Sequence, residues 1–235
     1  MTESIYEIFH WLPHTPYEVY ESKLERLQEA EKTLAFHVFS WLLHAERPLR
    51  LRELLQALFV GQGDKELKTY LNQIIQKNGF QGLVTWDAKS DTVRFIHQTV
   101  KLVLDSYRDR LRPIRDIAIT CSTYLALDVF GQDYVEDREE KFAFRRYAAE
   151  YWAHYTRLAE EDLDVIKAAL RLLASENKMN SMLKLEANVT KTSFTNGQTL
   201  FHVIAKNGFA KLCTFVIEGS PDVLKMYITV DIRAN

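Results

Sequence analysis

Seven histidines give this chain its widest chemical reach, because imidazole can move a proton, ligate a metal or donate to an anion near neutral pH. His97 is the one to single out. It closes the run Val93-Arg94-Phe95-Ile96-His97 at an expected strand-to-helix junction. An imidazole there can donate a hydrogen bond to an anion, or it can cap and pack at the start of the following helix. The residues alone leave both readings open. His10 and His14 have the i, i+4 spacing of a metal pair, but Pro13 lies between them and no Cys or carboxylate ligand pattern accompanies them. His37 and His44 fall two turns apart on one helical stripe, where ordinary packing partners are far commoner than a metal. His154 sits inside an aromatic stripe and reads as packing. No metal site is expected.

Phosphate chemistry would need Gly-x-x-x-x-Gly-Lys-Ser/Thr, whose backbone amides cradle the phosphates. The eight glycines contain no such arrangement. Gly61-x-Gly63 begins a dinucleotide fingerprint, yet Glu66 occupies the third glycine position and a helix rather than a strand precedes the pair. A Gly-x-Ser-x-Gly nucleophile elbow is also missing from the sequence. No catalytic residue and no cofactor are therefore expected, and a hydrolase is the weakest of the readings kept open.

Thirty basic and thirty-two acidic residues give a net charge of −2. Affinity for DNA comes largely from neutralised phosphates, so this balance argues against a nucleic-acid partner. Cys121 and Cys213 fall inside helical patterns and read as buried hydrophobes in a reducing compartment. The polar, acidic start Met1-Thr2-Glu3-Ser4-Ile5 does not read as a signal peptide, and no run of about eighteen apolar residues offers a membrane span. The expected location is the cytoplasm.

The elements that must position these residues are mostly helical. Pro16 opens a stripe of Tyr17, Tyr20, Leu24 and Leu27; a second carries Leu34, Val38, Trp41 and Leu42; a third carries Leu51, Leu54, Leu55 and Leu58. Leu67, Tyr70, Leu71, Ile74 and Ile75 form a fourth, stopped by Asn78-Gly79. The period then changes. Leu83–Trp86 and Thr92–Ile96 read as a hairpin, and helices followed by one hairpin are the plan of a winged helix. Its recognition segment Lys65–Lys77 nets +2 and its wing Asp87–Arg94 nets zero, which is poor for a major-groove reader. Val100, Val103, Leu104, Tyr107 and Leu111 share a face, and Pro113 starts a new helix with Ile117, Cys121, Tyr124 and Leu125 inward. Glu136–Lys141 reads as a solvated charge run. Phe144, Tyr147, Ala148, Tyr151, Trp152 and Tyr155 form the aromatic stripe, and Leu163, Ile166, Leu170 and Leu173 follow. Ser175–Thr195, rich in Asn, Lys, Ser and Thr, reads as a linker.

Asn196–Gly219 resembles one ankyrin repeat. Gly197, Thr199, His202, Ala205, Gly208 and Gly219 occupy the family's motif positions, with Leu200 where Pro is usual, Phe201 for Leu, Ile204 for the first Ala and Phe209 for His. The resemblance implies that His202 hydrogen-bonds near the Thr199 turn. Val230–Asn235 resembles the lead-in to a second repeat, and repeats bury their apolar faces by stacking.

A second resemblance covers roughly residues 10–160. It rests on Leu12-Pro13-x-Thr15 and Tyr20, Ser40-Trp41-Leu42-Leu43-x-Ala45-x-Arg47-Pro48-Leu49, Glu53-Leu54 and Gly82-Leu83-Val84. Asp91–Val100 and Tyr147-Ala148-Ala149-x-Tyr151-Trp152-x-His154 continue it. Together these are similar to the winged-helix family that follows the NACHT module in fungal NACHT–ankyrin proteins and is shared with inositol-deacylase-like proteins. The resemblance implies an NLR-like signalling ATPase of the STAND class, with a nucleotide switch coupled to a repeat sensor. It implies that His97 contacts the ADP β-phosphate in the resting state, and that the ATPase core lies upstream of Met1.

The expected fold is mainly α: a winged helix with one hairpin, a helical extension and an incomplete ankyrin-like repeat. The expected divisions are 1–15 (helix or linker from an upstream module), 16–112 (winged helix), 113–175 (helical extension), 176–195 (linker) and 196–235 (ankyrin-like). The expected role is a non-catalytic regulatory and protein-interaction segment, with a winged-helix DNA binder as the alternative. The expected partner is a protein, with a NACHT ATPase module in cis or in trans as the leading candidate; no membrane is expected.

Overall fold

The computed structural model describes residues 15–60, 65–131, 141–195 and 197–219. His10, His14, the Gly61-x-Gly63 pair, the charge run except Lys141, and Val230–Asn235 lie outside the described residues. The chain divides into two compact units. The first comprises Met1–Leu51 and Lys65–Arg112, and the second comprises Arg52–Asp64 and Pro113–Asn235.

In the first unit, helix α1 (Pro16–Glu25) starts where Thr15 accepts the Glu18 N–H at 3.2 Å, with Pro16 in the first helical position. Helix α2 (Glu29–His44) buries Phe36, Val38, Phe39, Trp41 and Leu42. Strand β1 (Leu49–Arg50) leads into helix α3 (Leu51–Leu58), and helix α4 (Lys65–Lys77) turns Leu71 and Ile75 inward. Strands β2 (Val84–Asp87) and β3 (Thr92–Phe95) make the expected hairpin, with Val84 opposite Phe95 and Asp87 opposite Thr92. The sheet has one strand more than the sequence reading supplies: β1 pairs antiparallel with β3 in the order β1-β3-β2. Two residues are too short to display a period of two, which is why β1 was not legible.

The chain passes from α4 to β2 through Gly79, Phe80, Gln81 and Gly82, all with positive φ. A Cβ on Gly79 would stand 1.8 Å from the Val84 carbonyl oxygen, so only glycine fits there. The turn is held by burial of Phe80 beneath Phe39, whose ring it meets edge-on at 5.7 Å. Phe36 and Phe95 complete this cluster around Phe39. Helix α5 (Thr99–Leu104) then buries Val100, Val103 and Leu104. The expected single helix on to Leu111 does not form: a 3-10 segment spans Asp105–Arg110, and Tyr107 departs from helical geometry within it. Tyr107 instead packs against Phe36, with ring centroids 5.7 Å apart.

In the second unit, helix α6 (Ile114–Leu125) packs on α7 (Phe144–Leu158) and α8 (Leu163–Ala174), and α7 packs on α9 (Glu176–Thr190). Most of α3 belongs here rather than with the rest of 16–112, and Gln56 supplies a physical reason. Its Oε1 accepts from the Tyr124 hydroxyl at 2.5 Å and the Phe144 N–H at 3.1 Å, while its Nε2 donates to the Lys141 carbonyl at 2.8 Å. One amide side chain thereby satisfies three groups on α6 and at the start of α7.

The expected linker at 176–195 is corrected over most of its length. Residues Glu176–Thr190 are helical, with Ser175 as N-cap and Met179, Met182, Leu183 and Ala187 buried. Helices α10 (Leu200–Asn207) and α11 (Ala210–Glu218) follow, joined through Gly208 at φ 65°.

Candidate functional site

His97 lies on the surface just past the end of β3, where α5 is about to begin. Its Nδ1 accepts the Thr99 backbone N–H at 3.1 Å and lies 2.8 Å from the Thr99 hydroxyl. The ring thus does the work of a cap on α5. Accepting at Nδ1 places the neutral ring's hydrogen on Nε2, which is then a donor. Tyr20 of α1 stacks on the imidazole, with centroids 6.5 Å apart and planes 21° off parallel, and the Lys23 ammonium stands 5.6 Å from the Tyr20 ring. Nδ1 is thus spent on the helix, which leaves Nε2 as the ring's other nitrogen.

The exposed face of α4 carries Glu66, Leu67, Thr69, Tyr70, Gln73, Gln76 and Lys77. Tyr70 is 47% exposed, more than a core-facing ring would be. Uncharged and apolar groups dominate this face, which offers few charges for phosphates. The wing turn is tied locally. Asp87 accepts from the Lys89 N–H and the Ser90 hydroxyl, and the first of these bonds does most to hold its carboxyl below the usual carboxylate range.

His37, His44 and His154 are all half-buried. His37 is pushed down to about 4, first by burial and then by the Arg112 charge, so it is neutral at ordinary pH. His44 is lowered by burial alone. His154 lies edge-on to Tyr155. Among the described residues, no group of three or more His, Cys, Asp or Glu is placed to hold a metal ion, and no helix is long and apolar enough to cross a membrane.

Within Asn196–Gly219, Gly197 sits at φ 79° and Thr199 caps α10. His202 Nδ1 accepts the Thr199 N–H at 3.1 Å and lies 2.8 Å from the Thr199 hydroxyl, a reciprocal cap in which His replaces the usual Glu or Gln. Ala205 and Gly208 are exposed, and a Cβ on Gly219 would come within 2.6 Å of the Phe215 carbonyl oxygen. Two side chains outside the expected set matter as much. Gln56 was hidden because its partners lie 68 and 88 positions away. Glu160 was hidden because it reads as one acid among several in a turn; it is buried and accepts the Leu212 N–H at 2.8 Å.

Helices α1 to α4 and a small antiparallel sheet, with α4 before the hairpin, define the class of the first part of the chain as a winged helix. The comparison with protein families agrees: residues 24–109 match the family described as GPI inositol-deacylase, winged helix domain. No curated protein and no solved structure matches the chain.

Proposed function

We propose that this chain is a non-catalytic regulatory and protein-interaction segment of the NACHT–ankyrin type. In this reading the winged helix couples a nucleotide-switch ATPase module, which these residues do not supply, to an ankyrin-like sensor or scaffold. The observation that carries the reading is the winged-helix match over residues 24–109. It is supported by His97, whose Nδ1 is used on Thr99 and whose Nε2 is left as a donor that suits a phosphate brought by another module. The α10–α11 pair, with its Thr199–His202 cap, has the local form that an ankyrin-like repeat would need. The exposed face of α4, where uncharged groups outnumber Glu66 and Lys77, favours a protein partner over DNA.

The test uses the purified chain with and without a NACHT module from a related protein. Alone it should show no ATP turnover. Added to the module it should slow release of fluorescent ADP, and His97→Ala should abolish that slowing while the complex still forms. Turnover by the clean chain, or ADP release unaffected by the wild-type chain, overturns the proposal. A salt-dependent shift of duplex DNA would favour the DNA-binding alternative instead.

A further inference from the structure

We infer that helices α7 to α9 act as the docking cap of the α10–α11 hairpin, with Glu160 as the positioning residue that pins it. Helix α11 starts without a cap of its own. Its N-cap residue is Phe209, which has no side-chain acceptor for the unpaired N–H groups of the first turn. Glu160, in the turn between α7 and α8, provides that acceptor from outside. It is only 8% exposed, and its Oε1 takes the Leu212 N–H at 2.8 Å. A carboxylate there also meets the positive end of the α11 dipole.

The surrounding contacts fix the same orientation. Phe209 is 1% exposed and meets Trp152 of α7 edge-on, with centroids 5.6 Å apart. The buried Trp152 indole N–H has no hydrogen-bond partner among the described residues, so its part in this contact is aromatic surface. Lys206 pairs with Glu186 of α9 at 3.1 Å, and Lys211 pairs with Glu161 at 3.2 Å. These pairs are partly solvated and contribute little strength. Their consistent sign, acids on the host and bases on the hairpin, sets direction. The apolar contacts tolerate sliding, whereas the Glu160 bond does not. Glu160 therefore decides how the hairpin is seated, and hence how its exposed Phe201 and Ile217 are presented. This inference goes beyond the proposed function and depends on neither an ATPase nor a binding partner.

Hydrogen exchange followed by mass spectrometry on the full chain tests it, with Glu160→Ala and Glu160→Gln beside wild type. Glu160→Ala should speed exchange over 200–218 by roughly tenfold, the scale of losing a charged buried hydrogen bond, while 144–190 keeps its protection. Glu160→Gln retains an acceptor and should lose much less. Three results would each overturn the inference: unchanged exchange over 200–218 in Glu160→Ala, equal loss across 144–190, or a Gln variant as deprotected as the Ala variant.

Discussion

Phe39 and Tyr147 are both fully buried among other rings, one in each unit, yet their surroundings differ in kind. Around Phe39 the neighbours are Phe36, Phe80 and Phe95, and the cluster is held by ring packing alone. Around Tyr147 the rings carry hydroxyls: its own lies 2.6 Å from that of Tyr155, while Tyr124 donates to Gln56 nearby in the same unit. The second unit also leaves Ser122 Oγ, Thr156 Oγ1 and Trp152 Nε1 buried without a hydrogen-bond partner among the described residues. A packed cluster resists the loss of any one polar atom, because it has few to lose. A hydrogen-bonded core is sensitive to such changes, since each orphaned group costs about 1–3 kcal/mol.

The largest expected effect falls on the first unit and comes from acid. His37 is held at about 4 in the folded state, against about 6.5 when unfolded. The folded state thus binds fewer protons between these values. Stability is fully present above the unfolded value and is lost as pH falls toward 4, by roughly 3 kcal/mol. Equilibrium urea melts at pH 7 and pH 4.5 should show this loss in the first unit, and His37→Gln should flatten it. An unchanged pH slope in that variant would assign the acid sensitivity elsewhere.

Next in size is Gln56→Leu, which removes the acceptor that Gln56 offers the Tyr124 hydroxyl and the Phe144 N–H. A loss of about 2–3 kcal/mol is expected, seen as faster hydrogen exchange over α6 and α7 with the β2–β3 hairpin unaffected. Equal deprotection of the hairpin would dissolve the contrast between the two units. The smallest effect belongs to the tyrosine pair. Tyr155→Phe should cost about 1–2 kcal/mol by removing the hydroxyl that meets that of Tyr147, and the same change should cost less where Tyr147 is already Phe. Additive losses in that double-mutant cycle would mean that the two hydroxyls do not act on each other.

Local patterns were legible in the sequence wherever an apolar stripe met a clear stop. Leu51, Leu54, Leu55 and Leu58 mark α3, and the change of period at Leu83 marks the hairpin. The 176–195 stretch misled because its Asn, Lys and Ser content masks a real stripe: Met179, Met182, Leu183 and Ala187 recur at i, i+3, i+4 and i+8. Its stop was hidden as well, since Lys191 rather than glycine takes the left-handed position after the helix. His97 and His202 could be picked out from their places beside a strand end and a Thr turn. The use of Nδ1 in both could not, because a side chain's choice of partner depends on geometry. Gln56 and Glu160 act across long separations, for which one sequence holds no local signal.

The long reach of Gln56 also sets a schedule for synthesis. The Phe144 N–H that it accepts is made 88 residues later. At a translation rate of about 5–20 residues per second, α3 waits on the order of 4–18 s for that partner to be joined to the chain. Throughout that interval Gln56 lacks the partners that α6 and the start of α7 supply in the finished fold. The window for chaperone capture at α3 therefore runs between completion of the β2–β3 hairpin and emergence of α7.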